Sequence, residues 1–489
     1  MNNKRPCLFG LATLLVGFGI ITSSTHAQVI PDGTLSTSVT SSDNQNFVIE
    51  NGDRNGNNLF HSFSEFSIPT DGSARFNNAA DIETIFSRVT GTNISNIDGL
   101  MQTNGNASLF LLNPNGILFG SNARLDIGGS FFGTTADTLL FDEGGVFSTT
   151  NARRSSLLNV NIPTGLQWNQ ADPNPTTLQN TTLELPAGAT LALLGGDLSF
   201  EGSSLTVNGG QAILSSLGTA GTVQLDGEQS VSFPDGLARG DITLTDTSFI
   251  SAEAGSINVI GNTLSLSDGA TLGTVTNSPN MAGNILLNVE DTIELTEANI
   301  SSTTFGPGDT GHILIETGQL SMVGSDIVLK TFASGNAGNI RIRADESVEL
   351  NTILETVNRS AIANEVAEGA SGAGGEITIE TSILKIFDGS ALQLVSSGTG
   401  NVGDINITAS ESVDFVGGFL TGSGFLLSGI LVFDSPDNRT ANGDVTITTG
   451  QLRVLDGAQI TTSPRGTGNG GNITIVARDS IDITGGVRF

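Results

Sequence analysis

The stretch GEITIETSILKIFDG, residues 375–389, decides the fold. It starts with glycine, alternates apolar and polar residues, and ends in an Asp-Gly pair. Such alternation is typical of a half-buried β-strand, and glycine marks the turns between strands. The same Gly-x-apolar-x-apolar start recurs at Gly255, Gly283, Gly311, Gly338, Gly375, Gly403, Gly443 and Gly471. Subtraction gives steps of 28, 28, 27, 37, 28, 40 and 28 residues, and periods of this size indicate a solenoid.

The repeats are of two kinds, which alternate along the chain. In the first kind a leucine stands nine residues after the glycine, and three of the four members then carry an Asp-Gly pair that predicts a tight turn. These leucines are Leu264, Leu320, Leu384 and Leu452. In the second kind an acid stands eight residues after the glycine and a hydroxyl follows it; the acids are Asp291, Glu346, Glu411 and Asp479. We interpret them as a solvated corner of the coil, and weak Ca²⁺ binding is the alternative.

These patterns predict an all-β chain folded as a right-handed parallel β-helix (solenoid) with one coil per repeat. Helical repeats are excluded by the shortage of helix formers and the abundance of Thr, Ser, Gly and Asn. Stacking would point Ile342, Ile379 and Ile407 into a shared dry interior. The two long steps predict loop-like insertions around residues 351–374 and 416–442.

The charge excludes several classes of function. The chain has 489 residues and a formal net charge of −30. Nucleic-acid binding needs a basic surface, so we expect no nucleic-acid partner. Anionic lipid would be repelled, and we expect no stable membrane insertion. A charge of this size keeps a long rod with an apolar interior in solution.

The N-terminus predicts a secretory signal peptide. A basic pair at residues 4–5 precedes an apolar run over residues 8–21, and Thr-His-Ala ending at Ala27 fits a small-x-small cleavage site. A membrane anchor is the alternative, but the run is shorter than a spanning helix needs. Cleavage between Ala27 and Gln28 would remove Cys7, the one cysteine, and leave an exported chain without disulfides.

The N-terminal third carries motifs that the repeats lack. In order they are LFHSFSEFSI at residues 59–68, RVTG at 88–91, IDGL at 97–100 and LFLLNPNGILFG at 109–120. Together they resemble the secretion domain of filamentous haemagglutinin-like exoproteins, the passengers of two-partner secretion, in their cyanobacterial form. A lone Asn-Pro-Asn-Gly would be weak evidence, because this tetrapeptide is a common turn. The order of the four motifs after a signal peptide and before a β-helix makes the resemblance specific.

The Asn-Pro-Asn-Gly motif predicts a sharp corner between two coils. Proline presets the turn, the second asparagine tolerates an unusual backbone, and glycine removes the steric block at the exit. The resemblance implies that this segment is needed for recognition by the outer-membrane transporter; shaping the cap alone is the alternative, and both can hold. The segment consists of Asn113, Pro114, Asn115, Gly116 and Ile117. Many family members carry a second, upstream Asn-Pro-Asn-Leu motif, but residues 76–82 here are FNNAADI, so no role is carried over.

The sequence predicts four parts. Residues 1–27 are the signal peptide, and residues 28–150 are the two-partner secretion domain, which caps the first coil of the solenoid. Residues 151–190, rich in proline, are an irregular junction, and residues 191–489 are β-helix repeats that start with degenerate coils near Leu191. The chain ends inside a repeat of the second kind, so we expect a shortened or split product, or an end closed by a partner or a second copy.

The predicted function is that of a secreted adhesin. The resemblance implies export through the periplasm and a dedicated outer-membrane β-barrel transporter, to the surface of a Gram-negative-type bacterium or beyond, where the receptor is a cell, matrix or polysaccharide. A β-helical polysaccharide-active enzyme and a structural cell-envelope component are the alternatives. An enzyme is disfavoured because the chain has one Trp and no Tyr, and its acids recur at equivalent offsets instead of clustering once. We expect no catalytic residues, no cofactor and no metal, since only His61 and His312 follow the signal peptide.

Overall fold

The computed structural model describes residues 28–152, 162–226, 230–421, 424–434, 443–463 and 470–485. The predicted signal peptide, including Ala27, lies outside the described residues, and Gln28 is the first residue described. Across the described ranges the regular secondary structure is almost entirely β-strand. No helix within them is long and apolar enough to cross a membrane.

The strands follow one another in chain order, with one 3-10 turn at Asp142–Gly144. The first fifteen are β1 Val29–Pro31, β2 Thr37–Thr40, β3 Asn46–Asn51, β4 Asp53–Asn55, β5 Asn58–Phe66, β6 Ser73–Phe76, β7 Thr84–Val89, β8 Ser95–Ile97, β9 Leu100–Thr103, β10 Ser108–Leu112, β11 Ile117–Phe119, β12 Arg124–Asp126, β13 Phe131–Thr134, β14 Thr138–Phe141 and β15 Val146–Ser148. The next eleven are β16 Pro163–Trp168, β17 Thr176–Gln179, β18 Thr182–Glu184, β19 Thr190–Gly195, β20 Leu198–Glu201, β21 Ser204–Asn208, β22 Gln211–Ser216, β23 Gly221–Asp226, β24 Ser230–Ser232, β25 Ile242–Thr245 and β26 Phe249–Glu253. The repeat region holds β27 Ser256–Ser267, β28 Thr271–Thr276, β29 Ile285–Thr296, β30 Asn299–Thr304, β31 Ile313–Val323, β32 Asp326–Thr331, β33 Ile340–Asn351, β34 Ala361–Val366, β35 Ile377–Phe387, β36 Ala391–Ser396, β37 Ile405–Val416, β38 Gly418–Thr421, β39 Gly424–Leu427, β40 Gly429–Asp434, β41 Val445–Leu455, β42 Gln459–Ser463 and β43 Ile473–Thr484.

The chain winds as a parallel β-helix with three faces, which confirms the predicted fold class. The first face is the ladder β5, β7, β10, β13, β19 and β22, which continues into the first halves of the long strands from β27 onward. The second face is the ladder β8, β11, β17, β20 and β25, which continues into the second halves of the same strands. The third face is the sheet of β3, β6, β9 and β12, followed by the ten-stranded sheet from β18 to β42.

The two kinds of repeat differ by one residue at the corner between the first and second faces. Asn288–Thr292 of β29 spans the same corner as Glu316–Gln319 of β31, so β29 holds one residue more. The same mismatch occurs where β33, β37 and β43 meet their neighbours. The additional residue lies at the acid position, and Asp291 is exposed there. The alternation in the sequence is thus a β-bulge on every second coil.

The interior and the tight turns match their predictions. Ile342 and Ile379 are 0% exposed and Ile407 is 2% exposed, and all three belong to one apolar core. Burying a side chain of this size stabilises the fold by about 1.5–3 kcal/mol. The Asp-Gly turns have the predicted positive φ, with 54° at Asp268 and 83° at Gly269.

The two insertions both lie at the corner between the second and third faces. The links are residues 352–360 before β34 and residues 417–428 before β40, and the second contains the hairpin of β38 and β39. The predicted ranges were too wide, because Ala361–Val366 is a regular rung paired with β32 and β36.

A further sheet lies outside the helix over its first face. Two segments follow the corner between the first and second faces, residues 135–175 and 217–241, and strands from their described residues form the sheet β15-β14-β16-β23-β24. We call it the outer sheet. Phe60 and Phe110 on the first face share a second apolar core with Trp168 of the first segment and with Val223 and Leu225 of the second.

The predicted boundaries within residues 28–240 were wrong in two respects. The parallel ladder begins with β5 and β7, so regular coils start well before Leu191. Residues 151–190 are not irregular throughout, because β16 belongs to the outer sheet and β17 and β18 are rungs of the second and third faces. The excursions into the outer sheet lengthen these coils and hide their period in the sequence.

A column of buried serines, which the sequence analysis missed, follows the corner before the third face. The hydroxyl of Ser360 accepts the backbone N–H of Ser325 at 3.1 Å, and the hydroxyl of Ser390 accepts the N–H of Ser360 at 3.3 Å. These side chains satisfy backbone donors that the turn would otherwise bury without a partner.

Candidate secretion motif

The predicted motif Asn113–Ile117 forms the corner between β10 on the first face and β11 on the second. The turn closes with the N–H of Gly116 donating to the carbonyl of Asn113 at 3.1 Å, and Gly116 has a φ of 113°. Such a backbone is strained for any residue with a Cβ, which explains the glycine. The predicted sharp corner is confirmed, but it joins two faces of a single coil instead of two coils, because β10 and β11 are consecutive strands of the same coil.

The two asparagines of the motif use their side chains inside the protein. Asn113 is 0% exposed, and its amide nitrogen donates to the carbonyl of Asn93 and to the hydroxyl of Ser95, both at 3.0 Å. Its amide oxygen accepts the backbone N–H of Asn115 at 3.0 Å. The amide of Asn115 donates to the carbonyl of Gly91 at 2.9 Å. Through these bonds the motif holds the preceding coil.

The same motif also binds the segment that returns from the outer sheet. The carbonyl of Pro114 accepts the amide of Gln170 at 3.0 Å and the amide of Asn174 at 2.8 Å. The N–H of Ile117 donates to the carbonyl of Pro175 at 3.3 Å. The motif therefore ties together three stretches of chain, and its polar groups face the protein instead of solvent.

The Arg-Val-Thr-Gly stretch holds the N-terminal strand in place. Arg88 is 2% exposed, and its guanidinium donates to the hydroxyl of Ser62 at 2.8 Å and to the carbonyl of Ser148 at 2.7 Å. The hydroxyl of Thr90 donates to a carboxylate oxygen of Asp32 at 2.8 Å, and so does the hydroxyl of Ser62 at 2.6 Å. A buried network thus joins the chain just after β1 to the first face and to the end of β15.

The carboxylate of Asp32 and the guanidinium of Arg88 both keep their charge in this network. Burial alone would raise the pKa of Asp32, but hydrogen bonds from Ser62, Thr34 and Thr90 outweigh burial and lower the pKa below its ordinary value. Burial lowers the pKa of Arg88 to about 10, while Asp32 and Asp53 act in the opposite direction. Both groups therefore stay ionised at neutral pH, as a buried charge requires when its partners are fixed.

Close packing between neighbouring coils requires glycine at position 91. A Cβ on Gly91 would lie 1.9 Å from the carbonyl oxygen of Ser64 on the previous coil. The Gly91 carbonyl is also the acceptor for Asn115. The two stretches that the sequence singled out therefore contact each other directly.

His61 is a buried titratable group in the same region. It is 1% exposed, its ring lies 5.4 Å from that of Phe76, and its Nδ1 is 3.3 Å from the hydroxyl of Thr37. Burial lowers the pKa of His61 to about 4, against a small opposing effect of Asp53. The imidazole is therefore neutral at physiological pH and serves as a packing residue.

The structure adds residues that sequence reasoning missed. Asp32, Gln170 and Asn174 complete the networks around Arg88 and Pro114, but nothing in their local sequence marks them, because these partners lie 30 to 60 residues away. In the region without the upstream motif, Asn78 accepts the N–H of Asn104 at 2.8 Å, so it also forms a bond between coils. Among the described residues, no group of three or more His, Cys, Asp or Glu side chains could hold a metal ion.

Comparison with known proteins gives the class of the N-terminal part. Residues 27–236 match the model of the TPS secretion domain, the domain of two-partner secretion. The chain superposes on the crystal structure of the HMW1 secretion domain from Haemophilus influenzae with a TM-score of 0.54 and 16% sequence identity, over 94% of this chain and 99% of that one. At this identity the likeness shows a shared fold. No curated protein sequence matches the chain.

A second solved structure, a filamentous hemagglutinin secretion domain, matches with a TM-score of 0.31 and 14% identity, over 79% of this chain and 99% of that one. That score is too low to carry an argument. The chain therefore carries a two-partner secretion domain on a parallel β-helix. The TPS secretion domain over residues 27–236 indicates an exoprotein of two-partner secretion, as the resemblance implied, and the cyanobacterial assignment stays a prediction. The matched range passes the predicted boundary at residue 150 and reaches the end of the outer sheet.

Proposed function

We propose that the protein is exported through an outer-membrane β-barrel transporter that recognises Asn113–Ile117 before the secretion domain folds, and that it then acts as an adhesin. The match of residues 27–236 to the TPS secretion domain supports the export route. The observation that carries the mechanism is the burial of the motif, whose asparagine amides bond to Asn93, Ser95 and Gly91. A transporter has access to these groups only while the coils are open.

Folding then gives export a direction. Each coil pairs with the previous one along all three faces, so a coil that emerges outside the cell folds on the one before it. Closing the corner at Pro114 buries the motif and removes it from the transporter. The unfolded chain is easily threaded because a mature chain from Gln28 would have no cysteine to cross-link.

The adhesin role is supported by the form of the molecule. The described coils stack into a rod with acids exposed on alternate coils, and such a rod presents a large surface away from its cap. The acids recur at equivalent positions as bulge residues, so we propose a binding role and not a catalytic one. The location we propose is the bacterial surface or the medium.

The export step is tested by coexpression with the cognate transporter and measurement of protein in the medium and on the cell surface. Deletion of residues 28–150 should abolish export, and the double substitution Asn113→Ala, Asn115→Ala should lower it at least tenfold. The matched control is Phe110→Ala, which weakens the same domain but leaves the motif intact, and it should retain most of the export. Normal export of the deletion, or equal loss in the two variants, would refute recognition of the motif.

The adhesin role is tested separately with purified protein. Residues 28–489 should bind host cells or matrix at a saturable level. Equal binding by bovine serum albumin would contradict the role.

A further inference from the structure

A groove lies where the secretion domain meets the repeats. Residues 233–239 follow the outer sheet and pass over the outward side of the first face. Two cavities of about 340 and 510 Å³ open beneath and beside them. Both are lined by Asn288, Glu316 and Arg343, so they form one groove. Its total volume lies in the range of sites that hold small ligands.

The floor of the groove is one part of a column of outward-facing residues that runs the length of the first face. The register between strands connects them coil by coil. In order they are Phe60, Phe86, Phe110, Phe132, Ala192, Ile213, Asn258, Leu286, Leu314, Arg341, Thr378, Asn406, Thr446 and Thr474. The first six lie under the outer sheet, and the last four are the small polar residues expected on a strand that faces water.

The coils that line the groove follow neither the apolar pattern under the outer sheet nor the small polar pattern of the later coils. Leu286 and Leu314 are half-buried and belong to neither apolar core, so they are not required to hold the outer sheet. Two positions further along their strands, Leu286 is followed by Asn288, Leu314 by Glu316 and Arg341 by Arg343. Later coils have Thr408 and Thr448 at this position. From β29 to β41, leucine, carboxylate and guanidinium side chains therefore occupy these two columns only beside the groove.

Two arginines of the groove bond to neighbouring groups of its lining. Arg239 donates to the carbonyl of Asn288 at 2.9 Å and to its side-chain oxygen at 2.8 Å, and its guanidinium lies 5.4 Å from the ring centre of Phe233. At the other end Arg341 donates to Glu380 at 2.8 Å. Planar hydrogen-bonding groups around an apolar floor suit a ligand that has both hydroxyl groups and an apolar face.

The charge of the groove selects against acidic ligands. The lining holds three arginines and five acids, Arg239, Arg341, Arg343, Asp235, Glu290, Glu316, Asp345 and Glu380, so its formal charge is 3 − 5 = −2. Acidic polymers would meet repulsion here as well as from the whole chain. The five coils from β27 to β35 extend over about 19 Å along the axis, at the spacing of adjacent strands.

We infer that this groove binds an uncharged oligosaccharide, with the sugar rings over Leu286 and Leu314 and their hydroxyl groups bonded to the Arg, Glu and Asn side chains of the rim. The inference names a ligand class for the adhesin role proposed above and rests on that role. It assigns the groove, and no other part of the rod, as the contact site.

The test uses purified residues 28–489 and titration calorimetry with cellohexaose, maltohexaose, laminarihexaose and chitohexaose. We expect at least one of these to bind. The double variant Leu286→Thr, Leu314→Thr and the single variant Arg343→Thr should each weaken binding at least tenfold. Threonine is chosen because the later coils carry it at these positions, so the fold tolerates it there. The control Asn406→Thr, Thr408→Ser changes the same two columns outside the groove and should bind as the wild type does.

The inference is overturned if none of the four hexasaccharides binds at millimolar concentration, or if the groove variants bind as well as the wild type. It is also overturned if polygalacturonate or a lysine-rich peptide binds and the neutral sugars do not. The assay needs no transporter, so its outcome is independent of export. Export of the groove variants should equal that of the wild type, which separates failure of the groove from failure of the secretion mechanism.

Discussion

The secretion domain and the repeat shaft are built from the same coil, but only the first is covered on its outside. Under the outer sheet the first face is apolar on both sides, with Phe110 outward and Leu111 inward. On the shaft the same outward column carries Thr446 and the inward positions remain apolar, as at Ile447. The same coil is therefore stabilised in two different ways in the two regions. The secretion domain has a second core of its own, whereas each shaft coil depends on its neighbours alone.

The largest expected difference comes from the outward column. Phe110 is 2% exposed and stacks on Phe132 with ring centres 4.2 Å apart, so Phe110→Ala should destabilise the secretion domain by about 3–5 kcal/mol. Thr446→Ala at the same column on the shaft should cost less than about 1 kcal/mol. Denaturant-dependent hydrogen exchange measures the two regions separately. Equal costs would remove the distinction between the covered and bare regions.

A loss of stability between pH 6.5 and 4 should occur in the secretion domain, where His61 is buried. The pKa of His61 is lowered to about 4 in the folded state from an ordinary 6.5. The unfolded chain therefore binds more protons between these values, and stability falls as pH falls from 6.5 toward 4, by up to about 3 kcal/mol. His61→Gln should abolish this part of the slope, measured as unfolding free energy between pH 6.5 and 5, where most carboxylates remain ionised. An unchanged slope in the variant would contradict the assignment to His61.

On the shaft, the buried serine column should matter more than surface hydroxyls. Ser360 is 0% exposed, accepts the N–H of Ser325 and donates to the carbonyl of Asn351 at 2.7 Å. Ser360→Ala leaves that N–H without its acceptor and should cost about 1–2 kcal/mol. The control is Ser265→Ala on the outward side of the second face. Faster hydrogen exchange confined to the coils next to Ser360 is the expected result, and equal exchange in the two variants would contradict it.

The smallest effect is expected for the surface ion pairs of the shaft. Arg341 and Glu380 bond at 2.8 Å, but their side chains are 58% and 42% exposed. Arg341→Thr should therefore cost less than about 1 kcal/mol, and the cost should shrink as salt is added. Thermal unfolding at low and high ionic strength measures this. A loss that does not depend on salt would show that packing, not charge, holds Arg341.

The shaft could be predicted from sequence because its strands alternate. Ile377 and Ile379 face the interior and Thr378 faces outward, so burial follows a period of two. The secretion domain hides the same fold because strands such as β10, with sequence SLFLL, are buried on both sides and show no alternation. Its coil period is also interrupted by residues 135–175 and 217–241, which leave the helix to form the outer sheet.

The motif was predictable as a turn, but its partners were not. Proline and glycine at positions 114 and 116 specify the corner, and the backbone angles agree. Gln170 and Asn174 reach Pro114 only after the chain has left the helix and returned, so no local pattern indicates them. The groove escaped the sequence analysis for a related reason, because Leu286 and Leu314 are unusual only when compared in register with later coils.

Because every second coil carries a one-residue bulge, the true repeating unit of the rod is a pair of coils. Removing the single coil of residues 311–337 would place Asp291 directly beside Glu346, about 4.8 Å apart instead of about 10 Å. Removing two coils would restore the original order of bulged and plain rungs. Shorter or longer versions of this rod, natural or engineered, should therefore differ by even numbers of coils.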